Sequence, residues 1–285
     1  MTSSGPNSRS FITTSWDDGS PLDFRVAELL VRYNLSGTFY IPRTCGLEFS
    51  RPTMGANSIR RLSETFEIGG HTLDHATLTG LPPSQANRQI HDCKTWVEDV
   101  TGKSCTMFCP PCGKYSKEHL SMVRSAGFDG LRTVEMFSID PPRAATVSRV
   151  CFSTPSTIPE FAARQHTSNS LAVLPTTLQA HPHGRLAYLR NIARRFAARN
   201  LHLYLLAGAK TAWPSLAATL ARRVMEQGGV FHLWGHSWEI EATHQWHELE
   251  VVLRMLSSLM PNATRLSNGQ LAGQTFLSVM DGDPT

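Results

Sequence analysis

Phe11-Ile12-Thr13-Thr14-Ser15-Trp16, followed at once by Asp17-Asp18-Gly19, is the stretch that decides how the chain folds. The apolar and β-branched residues make a short strand, and the Asp-Asp-Gly turn ends it. Pro21 to Asn34 then sets Leu22, Val26, Leu29, Leu30 and Tyr33 at the spacing of one helix face. Ser36-Gly37 breaks that helix, and Thr38 to Ile41 reads as a second strand stopped by Pro42. Strand, helix, strand in such close succession predicts a parallel pair joined by a crossover helix.

The alternation continues outward. Ile59 to Phe66 reads as helix and Glu67 to Gly70 as a short extended segment. Ser84 to Val100 is helical, with Pro83 before it and Thr101-Gly102 closing it. Lys117 to Ala126 is a further helix, leading to a strand at Phe128 to Arg132. From Phe137 to Ser170 the chain is rich in Pro and Ser and weakly periodic, which predicts loops plus a strand near Val150 to Phe152. After it come a strand at Leu171 to Leu174, a helix at Gly184 to Arg199 and a strand at Leu201 to Leu206. A helix at Pro214 to Gln227, a strand at Val230 to His236 and a helix at His244 to Met260 complete the series. The class is therefore α/β, with parallel strands and outer helices forming a barrel or an open sheet. In both, chemistry collects in the loops leaving the carboxyl ends of the strands.

Residues 1–10 are polar and Ser/Gly-rich, a flexible lead-in, and 11–285 is long enough for one large domain. With 27 basic and 23 acidic residues the formal net charge is +4. The basic clusters Arg194-Arg195 and Arg222-Arg223 fall in helical segments, as solvated faces do, so no nucleic-acid partner is expected. No run of residues is apolar enough for a membrane span, and Met1 to Ser10 lacks the core of a secretory signal. The expectation is a cytoplasmic protein whose six cysteines are free thiols.

Three segments carry chemistry, and all fall just after strands. Asp17-Asp18 offers two carboxylates that cannot point the same way from an extended backbone, so one can bind a cation while the other stays free as a base. Taken alone it is also an ordinary exposed turn. Gly69-Gly70-His71-Thr72-Leu73-Asp74-His75 sets two imidazoles four residues apart, as on one face of a helical turn, close enough to share a metal ion. Surface helices carry such pairs by chance. Val230 to Glu239 puts His232, Trp234 and His236 on one face of a strand, with His236 nearest the functional end. His232 reads more simply as a core residue, while Trp234 and Trp238 could wall a sugar ring.

The order of these elements is more specific than any one of them. Ser15-Trp16-Asp17-Asp18-Gly19, then Gly37-Thr38-Phe39-Tyr40, then Gly-Gly-His71-Thr-Leu-Asp-His75, then a late strand ending in His236 resembles the polysaccharide deacetylase family. This is the group with the NodB homology domain and carbohydrate esterase 4 activity, and the resemblance runs from about Ile12 to Glu241. It implies a distorted (β/α) barrel of about seven strands that removes the acetyl group from an N-acetylated sugar. It implies Asp18, His71 and His75 as ligands of a divalent ion. Zn²⁺ is the first choice, with Co²⁺, Ni²⁺ or Mn²⁺ compatible with the same ligands. Asp17 is then the general base and His236 the general acid.

One family segment departs. Where relatives carry an Arg-Pro-Pro-Tyr-like stretch, this chain reads Cys109-Pro110-Pro111-Cys112-Gly113. The Cys112 amide still suits an oxyanion, but Cys109 cannot form the family's salt bridge to the base. Arg132 or Lys114 are the available substitutes. The same stretch opens two other readings. Cys105, Cys109 and Cys112 have iron–sulfur spacing, and Cys109 with Cys112 could form a redox pair. The missing Arg also admits a carbohydrate-binding homologue without turnover, and some relatives hydrolyse non-sugar amides.

Overall fold

The computed structural model describes residues 9–45, 51–147, 169–194 and 198–280. Its strands are β1 Ser10–Asp17, β2 Thr38–Ile41, β3 Glu67–Gly70, β4 Met107–Phe108, β5 Gly130–Arg132, β6 Arg143–Thr146, β7 Ser170–Leu174, β8 Leu178–Gln179, β9 Gly229–Gly235 and β10 Thr264–Arg265. The helices are α1 Asp23–Arg32, α2 Ala56–Ser63, α3 Pro83–Thr101, α4 Lys117–Ser125, α5 Arg185–Ala193, α6 Ala198–Leu206, α7 Trp213–Gln227, α8 Ser237–Ala242, α9 Trp246–Leu259 and α10 Asn268–Met280.

The sheet runs β6-β7-β5-β4-β3-β2-β1-β9-β8 and curls into an incomplete barrel. Every pair is parallel except β6 with β7. β9 pairs along one edge of β1, while β2 and the short β10 share the other. The barrel-like α/β class expected from the sequence holds, with more and shorter strands than seven. Register sets the functional end. Asp17 lies level with Tyr40, Gly70 with Phe108, Phe108 with Leu131, and Trp16 with Gly235. These pairs climb the sheet in single-residue steps, so His236 follows on the level of Asp17, Asp18 on that of Gly70, and His71, Cys109 and Arg132 one step beyond, all at the carboxyl end of the strands.

Inside the curl lies a small apolar cluster of Tyr40, Met107, Cys109, Ala172, Leu174 and Val230, which Leu271 and Ala272 of α10 complete. Polar bonds at the amino end of the strands fix α10. Asn268 donates to Thr38 Oγ1 and Tyr40 Oη at 2.9 Å each and accepts from Thr13 Oγ1 at 2.8 Å. Gly269 donates to Glu67 Oε2 at 2.9 Å, and any Cβ there would meet Glu67 Oε1 at 2.0 Å.

Two of the expected elements differ from the structure. Leu201 to Leu206 is not a strand but part of α6. Asn200, Leu203, Tyr204 and Ala207 are buried while Leu201, Leu205 and Leu206 are exposed, a helical period that a short apolar run conceals. The helix expected over Gly184 to Arg199 comprises α5 and the start of α6, with residues 195–197 outside the described set. The strand near Val150 to Phe152 lies outside the described residues. Leu171 to Leu174 does form a strand, and its antiparallel partner β6 was not foreseen.

Candidate active site

Asp17 and Asp18 part company because the backbone turns over between them. Asp17 ends β1 in extended conformation, whereas Asp18 has φ 77° and Gly19 φ 62°. A left-handed Asp is tolerated for its short polar side chain. Gly19 is required, since a Cβ there would lie 2.5 Å from Ile41 Cγ2. The two buried carboxylates consequently face different partners.

Asp18 turns to the imidazoles. Its Oδ1 lies 3.4 Å from His71 Nε2 and 3.1 Å from His75 Nε2, yet is buried with no hydrogen-bond partner. One ligand atom from each of the three residues falls within 4.8 Å of the others. Burial would raise the Asp18 pKa, but the His71 and His75 rings, with His236 beyond, outweigh it and hold the carboxyl far below the usual range. A convergent carboxylate and two imidazoles, with an orphaned oxygen between them, is a donor set that fits a divalent cation.

The histidine segment is not the helical turn expected from its spacing. It is a loop with Thr72 and His75 both at φ 55°. Such strain at a β-branched residue persists only where surroundings impose it. Here α3 and the loop after β2 do so: Gln89 accepts from Leu73 N through its carbonyl and from Asp74 N through its side chain, and Arg43 pairs with Asp74 at 2.8 Å. His71 Nδ1 donates to the Cys109 carbonyl at 2.7 Å, which leaves Nε2 for a ligand.

Asp17 turns the other way, to Arg132. The Arg132 guanidinium is fully buried, bonds Asp17 Oδ1, and lies 5.1 Å from the Tyr40 ring and 4.9 Å from the Trp234 ring. Burial opposes its charge, but Asp17 beside it more than compensates and raises its pKa. Of the two substitutes for the absent arginine, Arg132 is therefore the one that reaches the carboxylate. It comes from the end of β5 across the space that Cys109 leaves, with Cys109 Sγ 3.9 Å from Asp17 Oδ2.

His236 follows β9 and brings Nε2 within 4.0 Å of Asp17 Oδ2 and 3.9 Å of Asp18 Oδ2. Its Nδ1 bonds Glu239 Oε2 at 2.6 Å. Burial pushes its pKa down, and the bond to Glu239 with the nearby aspartates raises it above the ordinary value. Glu239 is itself held by Gln179 Nε2 at 2.9 Å, and Gln179 Oε1 accepts from His183 Nε2 at 2.8 Å. Trp238 donates to Asp18 Oδ2 at 2.9 Å and carries Arg51 on its face at 3.5 Å. Trp234 is 6% exposed and backs Arg132. His232 is a core residue, donating through Nδ1 to Pro175 O at 3.1 Å and accepting from Ser15 Oγ at 2.9 Å.

Asp17, Asp18, His71, His75, Cys112, Trp234, His236 and Trp238 all line one cavity of about 500 Å³. Cys112, at φ 57° in the turn Pro111–Gly113, stands at its edge. Among the described residues, Cys105, Cys109 and Cys112 do not come together as a ligand group, which gives the iron–sulfur reading no support. Cys109 and Cys112 are both free, one buried and one exposed. Sequence reasoning missed Gln89, Glu239 and Arg51. Only Glu239 left a trace, as an acid three residues after His236.

A family model described as polysaccharide deacetylase matches residues 4–131. The chain is 28% identical over 138 residues to the peptidoglycan-N-acetylmuramic acid deacetylase PdaC of Bacillus subtilis, covering 48% of this chain and 27% of that enzyme. It is 23% identical over 128 residues to the peptidoglycan-N-acetylglucosamine deacetylase of Bacillus cereus, 44% of each. The chain thus spans well under two thirds of these relatives. A polysaccharide deacetylase candidate from Mycobacterium smegmatis superposes with TM-score 0.63 at 15% identity, over 97% of this chain and 94% of that one. A family 4 acetyl xylan esterase from Clostridium thermocellum, solved with a cobalt ion, gives 0.50 at 17% identity over 96% and 93%. At these identities the superpositions establish the fold.

Proposed function

We propose, from the premise that residues 4–131 belong to the polysaccharide deacetylase family, that the chain hydrolyses the N-acetyl group of an N-acetylated sugar. The observation that carries this reading is that Asp18, His71 and His75 converge in the same cavity as Asp17 and His236. The catalytic unit is taken as residues 11–285. Asp18, His71 and His75 would hold a divalent ion, with Zn²⁺ the first choice for one carboxylate and two imidazoles. Bound there, the ion would supply Lewis acidity, making water more acidic and the amide carbonyl more electrophilic.

The chain's own groups supply the proton traffic. Asp17, held by Arg132, takes a proton from the attacking water. His236 delivers one to the departing nitrogen, and the bond to Glu239 with the nearby aspartates favours its protonated form. The Cys112 amide donates to the oxygen that gains charge. Each proton-transfer role contributes roughly 10²- to 10⁴-fold. Water and amide become acetate and amine.

The carbohydrate-binding alternative rested on the absent arginine, and Arg132 removes that support. Acetate release from N-acetylglucosamine oligomers, with and without added Zn²⁺ or Co²⁺, tests the reading. Metal-dependent release that Asp17→Asn largely removes is expected. Absence of acetate from every metal-loaded preparation would overturn it.

A further inference from the structure

The cavity has a floor that carries the aspartates and histidines, and a wall that the proposed reaction does not use. That wall is α5. Ala187, Arg190, Asn191 and Arg194 all line the cavity, and their spacing places them on one helix face. Tyr188 and Ile192 bury the opposite face. Asn191 fixes the rotation, accepting from Met136 N at 3.0 Å and donating to Val134 O at 2.9 Å, in the segment that follows Arg132.

The charges of the lining are lopsided. Its two acids are Asp17, bonded to Arg132, and Asp18, in the ligand triad. Its remaining formal charges are Arg51, which lies 3.7 Å from Asp18 Oδ2, and Arg190 and Arg194, all positive. Among the described residues neither Arg190 nor Arg194 is paired with a carboxylate. Two like charges four apart on a helix repel. The helix dipole accounts for a cation at this end, but not for two facing a cavity.

We propose that the Arg190 and Arg194 face of α5 selects substrates carrying an anionic group, carboxylate or phosphate, on the sugar whose N-acetyl group enters the floor. Guanidinium groups match both anions through paired N–H donors. This rests on the hydrolase reading, and deepens it by naming a substrate class.

The test compares N-acetylglucosamine, its 1-phosphate, its 6-phosphate and its C6 carboxylate on the Zn²⁺-loaded full chain. At low salt, kcat/KM for at least one anionic sugar should exceed that for the neutral one by on the order of tenfold, as two exposed charge pairs provide, and the gain should shrink as salt rises. In the double variant Arg190→Gln, Arg194→Gln, checked by thermal melting, the anionic-to-neutral ratio should collapse toward one through KM. The carboxylate and phosphate arms tell the two anion sources apart. A wild-type ratio near one, or a ratio that survives in the folded double variant because the anion meets the bound ion instead, overturns the proposal and leaves the hydrolase intact. If no sugar releases acetate, the hydrolase reading fails, and calorimetric titration with the same sugars decides the wall. Tighter binding of an anionic sugar that the double variant loses upholds the wall; no such preference sinks it.

Discussion

The floor and the wall of the cavity are built by opposite means. On the floor the reactive side chains are held by partners from other segments. Asp17 is fixed by Arg132, His71 by the Cys109 carbonyl, His236 by Glu239, and the His71 to His75 loop by Gln89 and Arg43. The groups are buried, so each charge depends on a partner. On α5 one asparagine sets a helix face, and the arginines reach into solvent. Rigid placement suits groups that move protons, while a looser, exposed face suits selection among substrates. Substitutions on the floor should therefore act on turnover and stability, and those on the wall on KM.

The largest effect should come from the ligand triad. Asp18→Ala or His75→Ala should lose bound metal and activity together, read by elemental analysis beside acetate release. Stoichiometric metal in both variants would dissolve the triad. Asp17→Asn should keep its metal and lose roughly 10²- to 10⁴-fold in kcat. A near-normal rate would assign the base elsewhere. Arg132→Met separates structure from chemistry, because it leaves Asp17 buried without its partner. Denaturant unfolding should show a loss of about 3–5 kcal/mol. An unchanged midpoint would mean that Asp17 does not depend on that guanidinium.

Glu239→Gln should act more gently. Removing the carboxylate takes away the largest of the influences that raise the His236 pKa, with the aspartates left in place, so His236 loses its proton at lower pH. The alkaline limb of kcat/KM, measured with metal saturating in both forms, should move toward acid. A limb that stays in place would show that it belongs to another group.

The floor was more legible in the sequence than the wall, for a physical reason. Asp17, Asp18, His71 and His75 sit in short segments immediately after strands, where backbone geometry converts sequence order into position. Spacing alone misjudged the local shape, since two imidazoles four apart lie close on a strained loop as readily as on a helical turn. Arg132 was visible only as one of two possible substitutes, because β4 and β5 contribute two and three residues to the sheet and their register cannot be read from so short a run. Glu239, Gln179 and α5 depend on packing among late elements, and a short apolar run there, Leu201 to Leu206, does not declare its period.

His232 gives the smallest and cleanest test of that difference, since it lies on β9, the strand that leads to His236, but below the floor. Burial, with Arg132 beside it and only partly offset by the Pro175 bond, pushes its pKa down to about 3 from the usual 6.5. The folded protein therefore keeps His232 neutral at a pH where the unfolded chain has taken up its proton. Its contribution is complete above pH 6.5 and declines as pH falls from there toward 3. His232→Gln retains a donor and an acceptor but has no proton to gain. Urea unfolding of the wild type and this variant at pH 7.5 and 5.0 should give a smaller acid loss in the variant, with the shared titrations cancelling in the comparison. Equal losses would mean that His232 is protonated in the folded protein, and the separation between a dry strand interior and a reactive floor would not hold at that depth.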